Sequence, residues 1–118
     1  MARLQGKKGK ERQAILNMTV SWDDTLAELL QAKADFRVAL LRQILFLMAT
    51  GDVGTGKSLL RKYINATVGF IELGKVLGRS SKTLMQMLGP RGNPNIKNFF
   101  EIVAYLQKRE GSVFEEAA

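Results

Sequence analysis

The sequence predicts an all-α fold: a compact helical bundle with a helix-turn-helix in its second half and a long N-terminal helix or helix pair in its first. Three observations predict it. From Ser21 to Leu106 apolar residues recur at spacings of three and four, and no alternating or β-branched run reads as a strand. Glycine and serine fall where helices stop and start, at Gly69, Gly78 and Ser80. With 118 residues, 46% of them hydrophobic and 25% charged, the chain has the material for one domain with a modest core.

Residues 1–20 read as a basic flexible arm. Arg3, Lys7, Lys8, Lys10 and Arg12 outweigh Glu11, and Gly6 and Gly9 loosen the backbone. Two readings stay open for it: a solvated tail, or an arm that lies on phosphates. It has no apolar core of the kind a secretory signal needs, so none is expected. Residues 21–50 form an N-terminal helical segment. Ser21 is a candidate cap, and Asp23 and Asp24 follow in the first turn, where the helix dipole favours anions. Leu26, Leu29 and Leu30 make one apolar stripe; Phe36, Leu40, Ile44, Leu47 and Met48 make a second. No Gly or Pro interrupts Ser21 to Thr50, so the segment is one helix, or two with a bend near Ala34–Asp35. Its expected role is packing, including contact with a second copy or a partner. The greasiest stretch, Val38 to Ala49, is broken by Arg42 and Gln43 and is too short to cross a bilayer. A cytoplasmic protein without a membrane partner is expected.

Next comes "GDVGTGKS", Gly51 to Ser58, which matches the phosphate-loop pattern G-x-x-x-x-G-K-[ST]. That loop works by presenting backbone N–H groups and a lysine to phosphates, between a strand and a helix. The residues before it, "LLRQILFLMAT", have helical spacing, and no later strand carries an acid for Mg²⁺. A glycine-rich turn between two helices is the favoured reading, with Thr55 or Ser58 capping the second.

Residues 51–110 are the expected helix-turn-helix domain. Its first helix starts near Lys57 and turns Leu59, Leu60, Tyr63 and Ile64 to one face, with Gly69 at its C-terminal end. "FIELGKVLG" follows with Leu73, Val76 and Leu77 inward and Gly78 as its stop. Ser80 caps the next helix, which buries Leu84, Met87 and Leu88. "GPRGNPN" is a loop held stiff by Pro90 and Pro94. The last helix lines up Ile96, Phe99, Phe100, Val103 and Leu106. Residues 111–118 read as an acidic, frayed tail.

Eighteen Lys+Arg against eleven Asp+Glu give +7, a surplus that favours an anionic partner, nucleic acid first. The chain has neither cysteine nor histidine. Zinc fingers and thiol or imidazole catalysis are thereby excluded, and no catalytic residue, metal or cofactor is expected. The informative segment is Phe70 to Asn98. A small residue at Gly74 lets two helices cross, and a side chain larger than alanine there would push them apart. Gly78 turns the chain and Ser80 caps the reading helix. Burying Leu84, Met87 and Leu88 leaves Ser81, Lys82, Met85 and Gln86 to read bases. Lys82 suits a guanine edge and Gln86 an adenine. Arg79, Ser80, Thr83, Arg91, Asn93, Asn95 and Lys97 are the candidate phosphate contacts. From Phe70 to Lys97 five cations face one anion, Glu72. The plainer alternative is the solvated surface of an ordinary bundle.

Gly69 to Leu106 resembles the helix-turn-helix domain of phage-repressor-like regulators, and more closely the addiction-module antidote (antitoxin) proteins. The shared marks are Gly69 before the pair, "LGRS" at Leu77–Ser80, and "GNP" at Gly92–Pro94. The chain departs from the pattern near Phe70, where such domains carry a phosphate-binding glutamine. It departs also at Arg79, Gly74 and Met85, where an apolar residue, an alanine and an aromatic are usual. The resemblance implies a sequence-specific binder of double-stranded DNA, a bacterial transcriptional repressor acting as a homodimer. The alternative it leaves is an antitoxin-like interaction protein that holds a cognate toxin or other partner through residues 13–50, using Asp23, Asp24, Glu28 and Asp35. A distant third is nucleotide binding at Gly51–Ser58.

Overall fold

Lys33 steps out of the helical region, at φ −125° and ψ 111°, and splits the N-terminal segment into two helices. The computed structural model describes residues 19–111. Helix α1 spans Thr19–Ala32 and α2 spans Ala34–Ala49. Arg37 stabilises the break. Its Nη1 donates to the carbonyls of Leu30 at 2.8 Å and Gln31 at 3.4 Å, which the end of α1 leaves without helical partners. The bend therefore lies one residue before the expected Ala34–Asp35. Ser21 falls inside α1 rather than at its cap, and Thr19 and Val20, assigned to the arm, are helical. The rest of the arm, and all of the tail beyond Gly111, lie outside the described residues.

Helix α3, Val53–Ala66, starts four residues before Lys57. Gly51 makes the turn at φ 95°, and Asp52 caps the helix by accepting the Thr55 N–H at 3.4 Å. Neither Thr55 nor Ser58 is the cap; both sit in the helix. Gly56 is helical and buried because α2 crosses it: a Cβ would lie 2.6 Å from the Met48 sulfur. Three further helices follow: the short α4 (Phe70–Leu77) and α5 (Ser81–Met87), and the longer α6 (Ile96–Arg109). Among the described residues there is no strand, so the molecule is all-α.

Helices α2 and α3 share the largest contact, α1 lies across both, and α4 packs on α5 and α6. One core joins them. It takes Leu26 and Leu30 from α1, Leu41 and Ile44 from α2, and Leu60, Tyr63 and Ile64 from α3. Phe70, Leu73, Leu84, Leu88, Phe99, Ile102, Val103 and Leu106 supply the rest. Several expected stripes are rotated. In α2 the fully buried pair is Leu41 and Ile44, with Phe36, Leu40 and Met48 only at its margin. Val76 is exposed. In α6, Ile102 replaces Ile96 and Phe100, which are 79% and 53% exposed. Among the described residues no helix is long and apolar enough to cross a membrane.

The last turn of α6 is tied to the first half by a buried polar knot. Arg37 Nε donates to Glu110 Oε2 at 2.7 Å, and the Tyr63 hydroxyl donates to the same oxygen at 2.9 Å. Burial, and then the hydrogen bond to Glu110, push the Tyr63 hydroxyl's pKa upward. The folded state thus resists ionising Tyr63. Its contribution is complete below the ordinary tyrosine pKa near 10 and fades as pH rises past it. Tyr63→Phe should retain a larger share of its neutral-pH stability above about pH 10 than the parent chain does. Parallel urea titrations at neutral and alkaline pH would check this; identical losses in both proteins would refute it.

Candidate nucleic-acid interface

The α4–α5 pair is set by its turn. Gly78 adopts the left-handed conformation at φ 69°, and the Arg79 N–H returns to the Gly74 carbonyl at 2.9 Å. Ser80 then caps α5: its Oγ accepts the Thr83 N–H at 3.1 Å and lies 2.7 Å from the Thr83 hydroxyl. Gly74 presses against the turn itself. A Cβ on it would overlap the Arg79 carbonyl oxygen and come within 3.3 Å of the Ser81 nitrogen. Even alanine is therefore too large at Gly74, a tighter limit than the sequence predicts.

Leu84 and Leu88 anchor α5 in the core, with Met87 half-buried beside them. Lys82, Met85 and Gln86 stand exposed on its other side, and Ser81 is partly exposed at its start. The side chains of Lys82 and Gln86 make no hydrogen bond or ion pair within the described residues. This is the arrangement a reading helix needs: apolar residues lock its rotation, and unpaired polar tips face out.

The candidate phosphate residues fall into two groups. Arg91 and Asn93 are exposed on the loop after α5 and make no hydrogen bond or ion pair among the described residues. The others have internal partners. Arg79 Nη2 donates to Asn98 Oδ1 at 2.5 Å and lies 3.6 Å from Glu101, so it bridges the turn to α6. Its Nε is buried with no acceptor among the described residues. Lys97 Nζ sits 2.8 Å from Glu101, one turn along α6. The Glu101 carboxyl is held below its ordinary range, first by the hydrogen bond from Lys97 and then by the charges of Lys97 and Arg79. Asn95 caps α6 by accepting the Asn98 N–H at 2.7 Å. Ser80 and Thr83 are engaged with each other. Among the described residues Lys82, Arg91 and Asn93 thus have no side-chain partner, whereas Arg79 and Lys97 are engaged within the fold.

Lys57, the lysine of the phosphate-loop pattern, is turned away from any such use. It is 5% exposed, and its Nζ donates to the carbonyls of Gly89 at 3.1 Å and Gly92 at 2.5 Å. Helix α2, not a strand, feeds its loop. Sequence reasoning missed this residue because its partners lie more than thirty positions away. Among the described residues no group of acidic side chains could hold a metal.

A second feature lies beside the loop. Leu45, Met48, Ala49 and Val53 line a mainly apolar groove together with Asn93, Pro94, Ile96, Phe99 and Phe100, and the lining contains no charged side chain. Phe46, 59% exposed, also stands out from α2.

Comparison of the chain with protein-family models, with curated proteins and with solved structures gives no match. The resemblance to repressor and antidote domains rests on the residues that carry it, from Gly69 to Leu106.

Proposed function

We propose that the chain is a sequence-specific double-stranded DNA-binding protein of the helix-turn-helix type, a cytoplasmic bacterial transcriptional repressor acting as a homodimer. One observation carries the reading. Helix α5 is capped, locked by Leu84 and Leu88, and joined to α4 through a left-handed glycine, while Lys82 and Gln86 are exposed with no partner among the described residues. Lys82, Arg91 and the net charge of +7 supply affinity by releasing counterions from the duplex. Ser81, Lys82, Met85 and Gln86 supply choice at the base edges.

Two chains that each carry +7 meet with least repulsion through a face that lacks cations. The uncharged groove between α2 and α6, with the exposed Phe100 and Ile96 in its lining, is such a face. A groove lined by exposed apolar side chains can be complementary to its own copy about a two-fold axis. We assign it to the second chain of the dimer.

Gln86→Ala should relax the preference for one base position at a cost of about 1–3 kcal/mol and leave binding to unrelated duplexes little changed, whereas Lys82→Ala should relax the preference at its position and also weaken binding to every duplex, because it removes a cation. The test is selection of bound duplexes from a random pool at two salt concentrations. A regulator enriches one motif, and a dimer enriches two half-sites about one turn, roughly 34 Å, apart. Salt-sensitive binding without a motif would refute base reading. The second reading, an antitoxin-like protein holding a toxin through residues 13–50, is favoured by the exposed Phe46 on α2. In that reading DNA binding is secondary or absent, and a selection that retains no duplex would point to it.

A further inference from the structure

Lys57 stands at the point where α3 meets the loop that follows the reading helix. Its ammonium is buried, and the described residues offer it no carboxylate: its acceptors are the two carbonyls of Gly89 and Gly92. These flank Pro90 and Arg91, so one side chain grips the loop on both sides of an exposed arginine that has no partner among the described residues. The loop has little freedom at that point. The Gly89 N–H donates to the Gln86 carbonyl at 3.2 Å, and the Gly92 N–H to the Gly89 carbonyl at 3.0 Å. Gly92 runs so close beneath the end of α5 that a Cβ on it would overlap the carbonyl oxygens of Gln86 and Met87. Four carbonyls thus crowd around the end of α5 and the loop, and the lysine's charge opposes the negative end of that helix.

An apolar side chain of the same length would fill the space without desolvating a charge. What the ammonium adds is direction: two bonds that fix the height and tilt of the Pro90–Arg91 corner against α5. We propose that Lys57 is a positioning residue for phosphate binding, which holds Arg91 in register with the reading helix so that both reach one duplex. The inference rests on the reading of α5 as a DNA-binding helix and adds to it a residue from a different helix. It also gives the glycine-rich stretch Gly51–Ser58 a use: Gly56 lets α3 approach α2, and Lys57 is thereby aimed at the loop. Holding the corner in advance removes ordering entropy from the binding step.

The test uses the full chain and a mixed-sequence duplex of about 30 base pairs, three helical turns, so that it does not depend on base recognition. Affinity is measured by fluorescence anisotropy over a range of salt for the parent, Lys57→Met, Arg91→Ala and the double variant. Thermal melts establish that each is folded at the assay temperature. The expected results are an affinity loss of about tenfold for Lys57→Met and a salt slope lower by about one phosphate contact, with Arg91→Ala adding little in its presence. A loss of packing alone would lower the melting temperature without altering the slope. Should Lys57→Met fail to fold, Lys57→Gln, which keeps one donor, is held to the same slope criterion. A folded variant with the parent's slope, or penalties that simply add, would overturn the clamp while leaving α5 as the DNA-binding helix. Absence of salt-dependent binding by the parent chain would overturn both.

Discussion

Glu110→Ala is expected to lower folding stability by about 3–4 kcal/mol, the scale for breaking a buried ion pair. The Glu110 side chain is 5% exposed and accepts from both Arg37 and Tyr63 through one oxygen. Its removal leaves a fully buried phenol without an acceptor and a guanidinium with its charge uncompensated. The damage spreads because Arg37 also holds the terminal carbonyls of α1. Four helices therefore depend on this knot: α1 and α2 through Arg37, α3 through Tyr63, and α6 through Glu110 itself. Urea titration should show a lower midpoint with an unchanged slope, and the melting temperature should fall by roughly 10 °C or more. Glu110→Gln keeps an acceptor for Tyr63 but not the charge, so its loss should be smaller. A cost under about 1 kcal/mol for Glu110→Ala would mean that water already serves these groups in the folded protein.

The features legible in the sequence were those whose cause is local. Gly78 and Ser80 announce the turn and cap because each acts within three residues of itself. The exposed side of α5 was legible for a similar reason: in so short a helix, placing Leu84 and Leu88 inside leaves few orientations for Lys82 and Gln86. The features that escaped are set by distant partners. Glu110 looks like the start of an acidic tail, yet its partners are 47 and 73 positions earlier. Lys57 carries the outward signs of a phosphate lysine, but α3 begins at Val53, capped by Asp52, and Lys57 is buried within it. Arg79 reads as a free cation until α6 brings Asn98 and Glu101 beside it. In α6 the 3.6-residue period allows either of two adjacent stripes. Ile102 and Phe99 are taken inward, and Ile96 and Phe100 are left facing the groove.

Gly74→Ala should cost about 3 kcal/mol, at the upper end of the range for overpacking, because the atoms in its way cannot yield. The added methyl would overlap the Arg79 carbonyl oxygen and press on the Ser81 nitrogen, both backbone atoms of the turn. Relief requires α4 and α5 to separate, which would turn Lys82 and Gln86 relative to the rest of the molecule. Gly78→Ala, four residues on, is the natural comparison. A Cβ there would meet nothing within 4 Å, and only the left-handed φ of 69° opposes it, a cost of about 1–2 kcal/mol. The two glycines serve one turn for different reasons, one for space and one for backbone conformation. Their variants should separate in two measurements. Gly74→Ala should be the less stable in urea and should lose duplex binding under conditions where it remains folded. Gly78→Ala should keep its affinity wherever it is folded. Equal destabilisation by the two, with binding intact in both, would mean that the helix crossing is not held at the distance the Gly74 contact implies, and that α5 is not aimed by it.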